Sequence, residues 1–340
     1  MKRDHGFGLV ELLIGVAIAL FLTAVIATVY VNSKGVWRNN AAVARLQEQA
    51  RFALETMSRD IRMAGYRGCA TDTTPVNTLN SSSSFFYDYT KVILGNDATA
   101  ASWAPALDPA VSGLSPSPLA GRDVVTVWAA FDAGAQVTPP GMPSTSADIH
   151  VGAGNKLRQF DIVLAQDCAA SAILQITNAN PGTSGSVVHN TGLGTPGNST
   201  KNLGHIFGPD ATLLRLASIT YYVAGSSIHP GINSLWRYTV PALTGAPQPE
   251  EIAVGVDNLQ LEYGVDTDGD QVANVWQKAA SVSDWTKVVA ARINLLLVSP
   301  ENNVTTSPQP YTFDGVVYVP ADRRFRSTFS VAVNLRNRTP

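Results

Sequence analysis

Gly6-Phe7-Gly8-Leu9-Val10-Glu11-Leu12-Leu13-Ile14-Gly15, continuing through Val16-Ala17-Ile18-Ala19-Leu20-Phe21-Leu22-Thr23-Ala24-Val25-Ile26-Ala27-Thr28-Val29-Tyr30-Val31, governs how the rest of the chain is read. From Leu12 to Val31 there are twenty residues and no charge. At about 1.5 Å of rise per residue, such a helix is about 30 Å long, the thickness of a bilayer's hydrocarbon core. Lys2 and Arg3 precede it, so the positive-inside rule keeps the N-terminus cytoplasmic and sends the remainder across. A cleaved secretory signal fits poorly. Its apolar core is about 7–15 residues long and closes on a small-residue cleavage site. Here the run is longer and passes into Tyr30-Val31-Asn32-Ser33-Lys34.

Glu11 argues against a plain anchor. A carboxylate at the edge of a membrane-spanning helix is costly, so it implies a partner. Cleavage between Gly6 and Phe7 would make Glu11 the fifth residue of the mature chain. The new α-amino group of Phe7 would then be its counter-charge, most usefully on a neighbouring copy in a bundle of helices. An ion pair buried in that way could set the axial register between subunits.

The stretch Gly6-Phe7-Gly8-Leu9-Val10-Glu11-Leu12-Leu13 resembles the class III signal of type IV pilins and type II secretion pseudopilins: a short basic leader ending in Gly, then Phe, an apolar run and Glu at the fifth mature position. The resemblance implies that a prepilin peptidase cuts the Gly6–Phe7 bond and methylates Phe7. It further implies that Glu11 pairs subunits. Gly8 stands where the family often has Thr or Ser.

After the span, Val36, Val43, Leu46, Ala50, Leu54, Met57, Ile61 and Ala64 recur at three-, four- and seven-residue intervals, with Arg38, Arg45, Glu48, Arg51, Glu55, Arg59, Asp60 and Arg62 between them. That periodicity predicts an amphipathic helix with one stripe for a globular domain and one wet or partner-facing side. Gly65 is the expected stop and Gly35 a loosened join. Lys34–Arg67 holds seven Lys/Arg against three Asp/Glu, a surplus read as a solvated helix face.

Residues 70–120 read as loop, with a Ser81–Ser84 tract and Pro105, Pro109, Pro116 and Pro118. Strands are expected at Asp123–Phe131, Phe160–Leu164, Ala172–Thr177, Leu213–Val223, Leu235–Val240, Val256–Tyr263, Val288–Val298 and Val316–Val319. The clearest is Arg324–Arg336. Phe325, Phe329, Val331, Val333 and Leu335 share one parity there, and Arg324, Arg326, Thr328, Ser330, Asn334 and Arg336 the other. The expected fold class is α+β, type IV pilin-like: a long N-terminal spine helix, transmembrane then amphipathic, packed on a mostly antiparallel β-sheet headpiece. The boundaries are a leader over 1–6, the membrane half of the helix over 7–31 and its amphipathic half over 32–65. A loop-rich connection follows over 66–120 and the headpiece over 121–340.

Several local stretches are similar to the PilW family of minor pilins. They are Arg51-Phe52-Ala53-Leu54, Arg59-Asp60-Ile61-Arg62-Met63-Ala64-Gly65-Tyr66-Arg67-Gly68-Cys69, Asp167-Cys168, Tyr263-Gly264-Val265-Asp266-Thr267-Asp268-Gly269-Asp270 and Asn334-Leu335-Arg336-Asn337-Arg338. The resemblance implies a low-abundance subunit that primes pilus assembly at or near the tip. Its implied partners are prepilin peptidase, other minor pilins, the major pilin and the inner-membrane assembly machinery. The implied location is the inner membrane, single-pass with a periplasmic headpiece, and then the pilus surface. A type II secretion pseudopilin and a pilus-tip adhesin or DNA-binding subunit are the competing readings.

Composition narrows the rest. With 45 % hydrophobic and 15 % charged residues the chain is not disordered, and two cysteines exclude a four-thiolate zinc site. A net charge of −2 gives no global reason to bind nucleic acid. In an oxidising compartment Cys69 and Cys168 are expected to form one disulfide, two buried free thiols being the other reading. Asp266, Asp268 and Asp270 alternate as in the start of a calcium loop, yet Gln271 and Gln277 stand where such a loop has Gly and Glu. A solvated hairpin turn explains them as well, and no other cofactor is implied. Gly192-Leu193-Gly194-Thr195-Pro196-Gly197 matches G-x-G-x-x-G only as text, because no apolar helix follows it. His5, His150, His189, His205 and His229 are isolated, and Arg323, Arg324, Arg326, Arg336 and Arg338 read as strand arginines pairing with nearby acids. Nothing calls for an enzyme.

Overall fold

The computed structural model describes residues 8–69, 74–242 and 246–338. Two compact units emerge, one of Met1–Glu48 with Val298–Ser327, the other of Gln49–Leu297 with Thr328–Pro340. One helix, α1 (Leu9–Arg62), supplies residues to both and runs through Gly35 without interruption. The expected single spine helix is therefore present, with Gly35 as an ordinary helical residue.

In the first unit the side chains of α1 from Leu9 to Lys34 are all exposed, and Ala42 and Leu46 are the first buried ones. Arg45 pairs with Glu301 at 2.7 Å. The segment after Val298 holds a small hairpin, Tyr311–Phe313 against Val316–Tyr318, closed by Asp314 and Gly315 with φ of 49° and 73°. An Asp-Gly pair in left-handed conformation is the turn chemistry that a two-residue hairpin needs.

The second unit is built on two sheets. The larger has nine strands. Its main members are β1 (Ile93–Ala98), β2 (Val124–Gln136), β3 (Ile162–Gln166), β4 (Ser171–Gln175), β5 (Thr212–Gly225), β6 (Asn233–Val240) and β7 (Glu250–Val254). Strand β5 organises it. One edge pairs with β2 along Thr212–Tyr221, while the other edge pairs first with β3 through Thr212–Leu216 and then with β6 through Ser218–Gly225. The pairs are antiparallel apart from Val76–Asn77, which lies parallel to β4. The smaller sheet has the order β9–β8–β10–β11, from β8 (Val256–Val265), β9 (Val275–Gln277), β10 (Val288–Val298) and β11 (Arg326–Asn334). In β11 burial alternates as its sequence demands: Val333 and the following Leu335 are buried, while Ser330, Ala332 and Asn334 are exposed.

The end of α1 packs on the larger sheet. Ala50, Ala53, Met57 and Ile61 are at most 1 % exposed, and Ala64 bridges to Ala129. Gly65 turns the chain away with φ +72°, and its amide donates to the Trp128 carbonyl at 2.8 Å. A Cβ at Gly65 would sit 2.9 Å from the Val92 methyls, so both the backbone conformation and the space require glycine.

Two expectations need correcting. The stretch 66–120 is more than a connection, since β1 lies within it and pairs with β2 through Ile93↔Val127 to Asn96↔Val124. Its strand is short and holds Gly95, Asn96 and Asp97, residues depleted from strands, so packing and not propensity makes it a strand. The buried stripe of α1 holds Leu46, Ala50, Met57, Ile61 and Ala64 as expected, and departs from the expected one at a few positions. Ala53 is buried and Leu54 only half-buried, Val36 is exposed, and Asp60, read as wet, is 5 % exposed.

Candidate functional site

Gly6 and Phe7 lie outside the described residues. The first described turn shows how Glu11 is held. With Leu9 opening the helix, Gly8 caps it, and the Gly8 amide donates to Glu11 Oε2 at 3.0 Å. A Glu at the third helical position reaching back to the cap amide is half of a capping box. It also places a negative charge at the positive end of the helix dipole. The Glu11 carboxylate is thus held on Gly8, the residue after the expected new N-terminus, and its exposed oxygens still have lone pairs for a neighbour's cation.

The following turns leave little polar surface. Thr23 Oγ1 donates to the Ala19 carbonyl, and Thr28 Oγ1 donates to the Val25 carbonyl at 2.7 Å, so both hydroxyls are satisfied within the helix. Backbone and hydroxyl groups are therefore compatible with hydrocarbon, and the exposed Leu, Ile, Val and Phe side chains are free to face lipid or other helices.

At its other end the helix is held by a buried charge. The Tyr221 hydroxyl donates to Asp60 Oδ2 at 2.5 Å, and Arg237 Nη1 lies 3.8 Å from the same oxygen while its Nη2 reaches Glu250 at 2.7 Å. Burial raises the Asp60 pKa above the ordinary carboxylate value, and the Tyr221 hydrogen bond and the Arg237 charge pull it part of the way back. This chain of contacts joins α1 to β5, β6 and β7. Sequence periodicity missed it, because an aspartate between arginines reads as solvated. The one available signal was its position: Asp60 lies three and seven residues beyond Met57 and Ala53, on their face of the helix.

Cys69 and Cys168 are joined in a disulfide with Cα atoms 4.8 Å apart, tying the chain just past α1 to the end of β3. Beside it, His205 Nε2 contacts Asp167 Oδ2 at 2.6 Å. His189 is fully buried with Nε2 on the Lys201 carbonyl, and burial lowers its pKa, so it sits neutral in the core.

The loop between β8 and β9 does bring Asp266, Asp268 and Asp270 together, with one oxygen of each within 4.8 Å of the others. Asp266 spends both oxygens on its own loop, accepting from the amides of Asp268, Gly269 and Gln271 at 3.1, 2.6 and 2.9 Å. These bonds, that to Gly269 first, lower its pKa. Asn274 closes the turn, accepting from the Thr267 amide at 2.7 Å. Gln277 is occupied in β9 opposite Tyr263. The arrangement is a self-satisfied turn with three converging carboxylates, and it lacks a bidentate acid at the twelfth position.

The remaining sequence candidates are held internally. Arg326 makes a two-pronged pair with Asp322 at 2.6 and 2.8 Å, Arg324 donates to the Ser299 and Pro300 carbonyls, and Arg338 donates to the Trp285 carbonyl at 2.6 Å. Arg323 donates to Asn303, and the Arg336 amide to the Arg62 carbonyl at 3.1 Å. The guanidinium groups of Arg324, Arg326 and Arg338 serve carbonyls and a neighbouring carboxylate, so these three offer little of a phosphate-binding stripe, while Arg323 and Arg336 are exposed. The glycine-rich loop 192–197 folds onto Gln175: the Gly197 amide donates to Gln175 Oε1 at 2.8 Å, and Gln175 Nε2 donates to the Thr195 carbonyl at 2.9 Å. It opens no helix and cradles no phosphate.

Comparison with known families gives two matches. Residues 1–27 match the prokaryotic N-terminal methylation motif, and residues 220–337 match the family described as Type IV Pilus-assembly protein W. No curated protein and no solved structure matches. The first match covers the N-terminal residues and most of the uncharged span, and the second covers the end of β5 through β11. Together they make the chain pilin-like, point to a structural component of a pilus system and not to an enzyme, and agree with a membrane-anchored N-terminus.

Proposed function

We propose, from a prepilin-type N-terminus joined to a PilW-type C-terminal region, that this chain is a minor pilin that primes or caps type IV pilus assembly. In this reading prepilin peptidase cuts Gly6–Phe7 in the inner membrane and methylates Phe7, and the headpiece stands in the periplasm. The observation that carries it is the first half of α1. Among the described residues its apolar side chains are exposed, and its one acid is held at the helix N-terminus. Such a helix is complete only in lipid or against copies of itself, which is how a subunit passes from membrane to filament. Helix packing then supplies cohesion, Glu11 against a neighbour's Phe7 amine supplies register, and the headpiece supplies the choice of partner among other minor pilins and the major pilin.

The test is the intact mass and N-terminal sequence of the protein recovered from membranes. A chain beginning at N-methylated Phe7 is expected; one beginning at Met1 would overturn the proposal. The deletion phenotype separates the pilus from a type II secretion system. Loss of surface filaments and twitching motility is the expected result, and loss of secretion with filaments intact would assign the chain to secretion.

A further inference from the structure

The hairpin of the first unit has a composition that solvent does not explain. In a solvated two-stranded hairpin at least one parity should be polar. Instead Val316, Val317, Tyr318 and Val319 are exposed by 51, 66, 40 and 76 %, so both faces of the strand present apolar side chains. Across the ladder, the Tyr311 ring stacks on Tyr318 with centroids 5.2 Å apart, adding a second aromatic edge.

Its position in the unit is equally specific. A groove of about 820 Å³ is lined on one side by Val31, Gly35 and Arg38 of α1, and on the other by Val304, Gln309 and Arg323. The hairpin springs from that second wall, beginning two residues after Gln309 and returning before Arg323. Val31 is the last residue of the uncharged span. Tyr30 and Trp37, exposed by 65 and 68 %, flank it, and Lys34 and Arg38 lie about one and two turns further on. Apolar residues, tyrosine, tryptophan and cations at the level where a span leaves the bilayer are the composition of a membrane–water interface.

We infer that the Tyr311–Tyr318 hairpin is a membrane foot: it lays Val317 and Val319, on the face away from the buried Phe313, into the headgroup region of an anionic bilayer beside the point where α1 emerges, with Lys34, Arg38 and Arg323 facing lipid phosphates. The occupant is lipid because the groove beside the hairpin's base starts at Val31, where the uncharged span ends, and the charged residues lining it, Arg38 and Arg323, are both cationic; the hairpin's own acid, Asp314, sits in its turn. This rests on the membrane-anchored reading of α1. Before assembly the foot would hold the subunit at the bilayer by two contacts instead of one, and extraction into a filament would have to release both.

Full-length protein carrying one added cysteine and an environment-sensitive fluorophore tests it, in vesicles of phosphatidylglycerol and phosphatidylethanolamine with nitroxide on the upper acyl chain. The native cysteines are disulfide-bonded, so Val317→Cys provides the reporter thiol, Ile18→Cys the span control and Ile228→Cys an exposed headpiece control. Insertion to the acyl boundary predicts a blue-shifted Val317 probe quenched at least about twofold more than the Ile228 probe. Quenching is also expected to fall when phosphatidylcholine replaces phosphatidylglycerol; equal quenching in both would overturn the role of the three cations. A Val317 probe that behaves like the Ile228 probe while the Ile18 probe is quenched overturns the foot and leaves the span standing. An unquenched Ile18 probe overturns the membrane reading and the foot with it. A Val317 probe shielded from soluble iodide yet untouched by lipid nitroxide would mean that a protein covers the hairpin, and the lipid assignment would fall.

Discussion

In the proposed reading, single residues carry the assembly chemistry. Gly6→Val should then block maturation, since a β-branched side chain replaces glycine at the proposed scissile bond; an efficiently processed variant by gel shift or mass would contradict the site. Glu11→Ala is expected to mature normally, because the acid lies outside the cleaved bond, and to assemble poorly. It also removes the bond from the Gly8 amide, a cap worth about 1 kcal/mol to the first turn. Normal filament yield from that variant would take away its register role. Asp60 behaves differently, as a group whose burial is offset by its partners. Asp60→Ala takes away the acceptor of the Tyr221 hydroxyl and leaves Arg237 with Tyr221 and Glu250, which should lower unfolding stability by about 2–4 kcal/mol. Asp60→Asn keeps an acceptor and drops the buried charge, so its loss should be clearly smaller. Equal losses in denaturant melts of the two would mean that packing, not hydrogen bonding, holds the helix end.

Among the elements, α1 and β1 show opposite relations between sequence and structure. The helix announces itself through periodicity, and its burial stripe then differs at a few positions because the sheet beneath decides which side is covered. Strand β1 announces nothing, since its residues are poor strand formers and its stability comes from pairing with β2. Within it, Gly95 is required by contact: a Cβ there would lie 2.0 Å from the Tyr263 hydroxyl oxygen and 2.4 Å from its Cζ, across to the smaller sheet. Gly95→Ala should therefore cost about 1–3 kcal/mol by forcing the two sheets apart. Trimming the ring as well, in Gly95→Ala/Tyr263→Ala, should cost less than the two single losses added. Simple additivity in that double-mutant cycle would show that the two residues do not touch.

For the molecule as a whole, stability should depend on pH and redox state in ways set by a buried carboxyl and a disulfide. Asp123 accepts from the amides of Ala98 and Leu261, both at 2.7 Å, and burial pushes its carboxyl up to about 7, with Asp97 nearby adding to the rise. Because the folded pKa lies above the unfolded value, the folded chain holds a proton that the unfolded chain releases. That contribution is complete below about pH 4 and is lost as pH rises through about 7, a total of about 4 kcal/mol at most. Asp322 works in the other direction. Its hydrogen bonds from Arg326 lower its pKa, so its contribution is present above the unfolded value and disappears on acidification through the folded one. Denaturation midpoints should therefore fall between pH 5 and pH 8, and Asp123→Asn should flatten that slope. An unchanged slope would remove Asp123 as its source. Reduction of Cys69–Cys168 opens a loop spanning 99 residues, and the chain-entropy model puts the loss at about 4–5 kcal/mol; a midpoint that ignores reductant would mean the cross-link constrains little of the unfolded chain.

The sequence by itself determined what depends on neighbours along the chain: the uncharged span, the Gly6–Phe7 junction with Glu11 behind it, the period-two strand at the C-terminus, and the pilin-like class that follows from their order. Each is a local pattern, written in a short stretch of neighbouring residues. What only the tertiary structure decided depends on residues far apart in sequence. Asp60 became a core residue because Tyr221 and Arg237 were there to receive it. The 93–98 segment became a strand because β2 offered an edge, and Asp123 became a carboxyl that titrates near neutrality because two sheets closed over it. Val316–Val319 reads as an ordinary strand until the fold leaves both of its faces open. Burial and exposure are properties of the partner a side chain meets, and no periodicity names that partner.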